Sequence, residues 1–185
     1  MQADGTALLE LFADGGVMMY PLLGCSLLAL GVILGKAYTL WQAGRWSRGV
    51  AAAVLERARA GDLAGATRLA ASAPGPVAAL LHAGLRRAQD PGAGDADIEQ
   101  ALRSAGSAEL GFLERGLAAL ATIANVAPLI GFLGTVAGMI SAFGAIAAAG
   151  EIEPRLVAGG IKVALITTAA GLLVAVPSNL AYNYF

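Results

Sequence analysis

The sequence predicts an all-α integral membrane protein, and three observations carry that expectation. Three long stretches are almost free of charge: 17–40, charge-free up to Lys36; 116–150, without one charged residue; and 156–185, with Lys162 alone. Hydrophobic residues make up 57% of the chain and charged residues 14%, against about 45–50% and about 25% in an average soluble domain. The basic residues also cluster between the first and second stretches, the asymmetry that sets membrane orientation.

Each stretch is long enough to span. A helix rises about 1.5 Å per residue, so about 20 apolar residues cross about 30 Å of hydrocarbon. The second and third are longer than that, and must tilt or continue beyond the bilayer. A signal peptide is the competing reading of the first. Signal peptides open on positive charge, whereas the leading segment carries Asp4, Glu10 and Asp14 and no Lys or Arg. The stretch reads as an uncleaved span.

Ten of the twelve basic residues lie between Lys36 and Arg115. The first 16 residues have none, and the link 150–155 has only Arg155, beside Glu151 and Glu153. The positive-inside rule therefore puts 41–115 in the cytoplasm and both other segments outside. The expected division is an outer segment 1–16, a span 17–40, a cytoplasmic helical region 41–115, a span 116–149, an outer link 150–155 and a span 156–185. Three spans place the C-terminus inside.

The cytoplasmic region reads as helices. Val50 to Ala60 is Ala- and Arg-rich, and Gly61 ends it. Asp62 caps the next helix, which runs to about Ala73. Pro74-Gly75-Pro76 breaks the chain, Val77 to Gln89 is helical again, and Asp90 to Gly94 is a loop. From about Asp95 a helix runs toward the second span. Nothing between Ile98 and Leu120 forces a break, because Gly106, Gly111 and Gly116 only weaken it, so it is free to continue into the span.

Several function classes are excluded. A formal charge of −1 offers no basic surface for nucleic acid. One cysteine, Cys25, and one histidine, His82, allow no internal disulfide and no protein-built zinc site. No Ser/His/Asp, Cys/His or metal constellation exists, so no enzyme, catalytic residue or cofactor is expected. Cys25 is expected to pack within the first span, and His82 to lie on the surface of the cytoplasmic region.

The second and third spans are patterned. Gly131, Gly134, Gly138 and Ala142 fall on roughly one face, with Gly134 and Gly138 forming a GxxxG pair that lets helix backbones approach closely in lipid. Thr135 is the polar exception: its hydroxyl either bonds back to the Gly131 carbonyl or lines a polar path. Asn125 and Pro128 either hydrate an inner mouth or satisfy a local bend. In the third span Ala164, Thr168, Gly171, Ala175 and Asn179 share a small, weakly polar face that fits a narrow lumen or a close partner helix. Pro177 removes a backbone donor and can kink that helix. Lys162 sits about six residues, roughly 9 Å, inside the outer end. It either snorkels to the headgroups, or else pairs with a partner acid or controls ion entry at the outer mouth.

On residues 127–143 and 159–177, and on the ending Ala181-Tyr182-Asn183-Tyr184-Phe185, the chain resembles the MotA/TolQ/ExbB proton-channel family, most closely its ExbB and TolQ branch. Gly15-Gly16 and Met19-Tyr20-Pro21-Leu22-Leu23 fit as well. The resemblance implies a pentameric helix bundle in the bacterial inner membrane, with spans two and three around a central pore. The N-terminus would be periplasmic and the C-terminus cytoplasmic. It implies a single-span ExbD- or TolR-like partner, as a dimer inside the pore, that carries a membrane aspartate. Proton flow would then drive mechanical work on an envelope partner. Thr135 and Thr168 match the pore-facing threonines of the family; Thr167 and Asn179 are further candidates for the ion pathway. Lys162 is the outer-mouth candidate, and Gly131, Gly134, Gly138 and Gly171 are the helix-packing positions.

The chain departs from the pattern once inside the third span. Members of the branch often read Gly-Ile-x-Glu-Ala-Leu, where this chain has Val163 at the glutamate position. Lys162 lies one residue earlier, about 100° around the helix, and is no positional substitute. By the same resemblance a cytoplasmic helical tail is expected beyond the position of Phe185. The competing function is a non-conducting membrane scaffold that anchors an envelope complex.

Overall fold

The computed structural model describes residues 3–150 and 154–185, and outside short turns these are helical throughout. In chain order the elements are α1 (Ala3–Asp14), a 3-10 turn (Gly16–Met18), α2 (Met19–Arg59), α3 (Leu63–Ser72), α4 (Pro76–Ala88), α5 (Asp95–Leu113), α6 (Leu117–Ala149) and α7 (Pro154–Tyr184). Residues 1–2 of the leading segment and 151–153 of the expected outer link lie outside the described residues. Helices α2, α6 and α7 each hold a stretch long and apolar enough to cross a membrane. The chain divides into two compact units: 1–34 with 116–185, and 35–115.

Two boundaries differ from the sequence expectation. Helix α2 runs unbroken from Met19 to Arg59, joining the first expected span to the first expected cytoplasmic helix. Gly44 and Gly49 weaken that stretch without removing a hydrogen bond, so the helix continues. The second difference is a correction. The helix starting at Asp95 does not run on into α6. It ends at Leu113, and Gly116 takes φ +88° and ψ −18° before α6 begins. A left-handed residue stops an α-helix, and glycine adopts that conformation without a Cβ clash. The Glu114 N–H is spent on the Leu110 carbonyl, and α6 opens with the Leu120 N–H on the Gly116 carbonyl.

The unit formed by 35–115 is a set of short helices held by caps. Asp62 accepts the Gly65 N–H at 2.8 Å and starts α3, as the sequence implied. Pro76 occupies the first turn of α4, where its missing N–H costs nothing. Asp97 accepts the Gly94 N–H at 3.0 Å at the start of α5. Arg87, at the end of α4, donates to Asp90 at 2.9 Å and pairs with Asp97 at 3.4 Å. The Gly94 N–H, then Arg87, hold the Asp97 carboxyl below the usual carboxylate range. Val54, Ala66 and Ala70 form the buried centre, packed by Val50, Leu69, Leu81 and Leu85.

In the other unit, α2 lays one face against α6 and α7. Leu22, Ala127 and Ala175 form one buried cluster. Ala29, Leu120 and Ile123 form a second, against which the half-buried Cys25 packs. The outward faces are as apolar as the inward ones. Leu129, Phe132, Ile140 and Leu173 are 65%, 65%, 67% and 75% exposed. An apolar face of that extent on helices of spanning length is what lipid or partner helices cover.

Candidate functional site: the seam between two spans

The site is built on glycines. Helices α6 and α7 run antiparallel, and the contact order shows it: Ala127 and Gly131 meet Gly171, Gly134 meets Thr167, Gly138 meets Gly160 and Ala164. A Cβ added at Gly171 would stand 2.6 Å from the Ala127 carbonyl oxygen, one at Gly138 2.8 Å from that of Gly160, and one at Gly131 2.9 Å from that of Thr167. Backbone therefore rests on backbone along several turns. The small face of α7 is turned to α6 of the same chain: Ala164, Gly171 and Ala175 are buried on it. Of the two fits the sequence left open for that face, a narrow lumen or a close helix, the chain itself supplies the second.

The hydroxyls divide by exposure. Thr167 is fully buried over Gly134, and its hydroxyl donates back to the Val163 and Ala164 carbonyls at 3.0 Å. Thr168 is half-buried and reaches across the seam to the Gly131 carbonyl at 3.4 Å, long for a hydroxyl donor and hence weak. Thr135 is half-buried and donates to the Phe132 carbonyl at 2.6 Å. Its acceptor is thus one residue on from the Gly131 carbonyl that helical spacing suggested. Asn179 is exposed at the far end of α7, where its side-chain oxygen accepts from Asn183 at 2.6 Å. Asn125 is exposed and donates to the Ala121 carbonyl at 2.9 Å. Thr135 and Thr168 thus keep partly open hydroxyls, while Thr167 is enclosed. Sequence reasoning passed over Ser178, which is fully buried and donates to the Val174 carbonyl at 2.7 Å.

Lys162 has a partner within the chain. Its Nζ lies 2.6 Å from Asp14 Oδ2, at the end of α1, and both side chains remain partly exposed. The sequence showed Asp14 only as one of three leading acids. The recoverable signal was positional: in the expected orientation an acid just before the first span and a base just inside the third fall on the same side. Beside this pair an open cavity of about 460 Å³ is lined by Gly15, Gly16, Gly138, Ser141, Gly160 and Val163, among others. Gly16 stands at its edge with φ +68°, where an added Cβ would come to 3.9 Å from the Val163 side chain. A separate cavity of about 500 Å³ in the unit 35–115 is lined by alanines and prolines with Gln42, His82, Glu109 and Phe112. His82, expected on the surface, is half-buried at its wall. No cluster of three metal-binding side chains occurs among the described residues.

Three apolar helices of spanning length, two of them joined through a glycine seam with threonines along it, define a helical membrane protein. The model of the MotA/TolQ/ExbB proton channel family matches residues 72–185. A Synechocystis protein named as ExbB-like 3 is 34% identical over 173 residues, covering 92% of this chain and 81% of its own. The biopolymer transport protein ExbB of Xanthomonas campestris is 43% identical over 88 residues, 48% of this chain and 35% of its own. The Tol-Pal system protein TolQ of Haemophilus influenzae is 42% identical over 97 residues, 51% of this chain and 42% of its own. The chain belongs to the MotA/TolQ/ExbB proton channel family. Its matches to the last two relatives span less than half of their lengths.

Proposed function

We propose that the chain is the large, pore-forming subunit of a channel driven by the proton-motive force in a bacterial inner membrane. It works as ExbB or TolQ does, through a single-span ExbD- or TolR-like partner, and passes mechanical work to an envelope component. The observation that carries this reading is the family match across both patterned spans, on which Thr135 and Thr168 keep partly open hydroxyls. In this reading the 1–16 segment and the 150–155 link lie outside and the 41–115 region in the cytoplasm. Five copies would set α6 and α7 around a central lumen, with Thr135, Thr168 and Asn179 along it and Thr167 inside the wall.

Mechanism follows from what the spans lack. The described stretches of α6 and α7 contain no Asp or Glu, and Val163 stands where the branch often has glutamate. A hydroxyl can pass hydrogen bonds along water but cannot hold a released proton at neutral pH. The titrating carboxylate therefore comes from the partner's membrane aspartate, and this chain supplies a hydrated wall. The same observations give the scaffold reading its footing, since the seam spends much of the small face on packing within one chain. Proton flux in membranes holding chain and partner, lost on Thr135→Val or Thr168→Val with assembly retained, tests the channel reading. Retained gradient-driven work in both variants would sink the assignment of these residues.

A further inference from the structure

We infer that Asp14 is a charge-neutralising residue at the outer end of the ion pathway, cancelling the field that Lys162 would otherwise set against a passing cation. The inference rests on the channel reading above. Lys162 is the one charged residue of α7 within the apolar stretch 156–185, one position from Val163 at the cavity beside Gly15 and Gly16. An ammonium there opposes cation entry, and each further copy in a closed ring adds to the opposing potential. Asp14 Oδ2 at 2.6 Å turns that point charge into a short dipole, whose field falls off far faster with distance.

A merely structural role is disfavoured by exposure. The Lys162 side chain is 58% exposed and that of Asp14 39%. Pairs of this kind contribute little to stability. Other charges on the two helices do not substitute. Glu10 lies one turn earlier on α1, and Arg155 lies two turns earlier on α7 with the same sign as Lys162. The pair is also not a replacement for the family's glutamate. Asp14 sits on a helix outside the seam, and it acts on Lys162 rather than on a transported proton.

The test uses membrane vesicles from cells that express the full chain with its native partner, and follows proton flux by the collapse of an imposed pH difference. Asp14→Asn should lower flux about ten-fold at low salt. The loss should shrink near 1 M salt, where the screening length falls to about 3 Å. The double variant Asp14→Asn with Lys162→Gln should regain most of the flux, and so should the swap Asp14→Lys with Lys162→Asp. Oligomer size on native gels should be the same in all. Wild-type flux in Asp14→Asn, or a loss that neither the double variant nor salt relieves, overturns the neutralising role and leaves the channel reading standing. Flux no greater than in vesicles lacking the chain overturns both.

Discussion

At the scale of single residues, the hydroxyls carry the sharpest expectations. Thr135 and Thr168 spend their donors on carbonyls of the helices, Phe132 in one case and Gly131 in the other. Hydrogen bonds of this kind inside membrane proteins contribute about 0.6 kcal/mol each. Thr168→Val should therefore leave thermal stability in detergent and oligomer size nearly unchanged while abolishing gradient-driven work. Thr167→Val is the informative contrast. Its side chain is enclosed over Gly134, so flux should persist, and a complete loss of flux with the fold intact would move Thr167 onto the pathway. These residues were legible in the sequence because a threonine in a long apolar stretch stands out. Which of two adjacent threonines is enclosed was not. Neighbours lie about 100° apart on a helix, and only the position of the second helix decides between them.

At the scale of elements, the seam between α6 and α7 makes glycines unequal. Gly171→Ala places a methyl 2.6 Å from a backbone carbonyl, which no rotamer relieves. It should lower stability by about 1–3 kcal/mol, the range for overpacking, readable as a drop in melting temperature in detergent. Gly144→Ala meets nothing within 4 Å and should be neutral or mildly stabilising. Equal effects at the two positions would contradict the packing. Gly116→Ala, at φ +88°, should cost about 1–2 kcal/mol. At the α4–α5 junction the Gly94 N–H and then Arg87 depress the Asp97 carboxyl. A carboxyl with a lowered folded value stabilises above its unfolded pKa and loses that stabilisation as pH falls through the folded value. The stability difference between the wild type and Arg87→Ala should thus be present at neutral pH and vanish in acid. Helices, their caps and the proline break were readable here, since Asp62 and Pro76 act within their own few residues. The stop at Gly116 was not, because a glycine's φ is set by where the flanking helices must go.

At the scale of the whole molecule, burial is the decisive fact. Only 17–22% of each span-forming window is buried within the chain, and Leu27, Leu129, Leu165 and Leu180 are each more than three-fifths exposed. One copy cannot bury its apolar surface, so the chain should resist extraction without detergent. We expect it to purify as a ring, five copies by native mass spectrometry. A monomer in mild detergent would count heavily against a shared pore. The purified chain alone should conduct protons poorly, because its spans supply no carboxylate; strong flux without a partner would overturn that division of labour. Membrane class was plain from composition and charge alone. Which outward face meets protein and which meets lipid was not, because the exposed faces of the spans read as equally apolar.

The glycine seam also has a consequence for stiffness. With carbonyl oxygens seated against the opposite backbone at Gly131, Gly138 and Gly171, and only small side chains such as Thr167 and Ala142 between them, α6 and α7 have little side-chain layer to shear through. The pair is expected to move as a single beam. Any turning that accompanies ion flow would then slip at the surfaces between neighbouring beams, or between the beams and whatever they surround. A cysteine cross-link bridging the ends of α6 and α7 within one chain should accordingly be silent, and one joining two copies should tell the two slip surfaces apart: lost work places the slip between beams, retained work places it against what they surround.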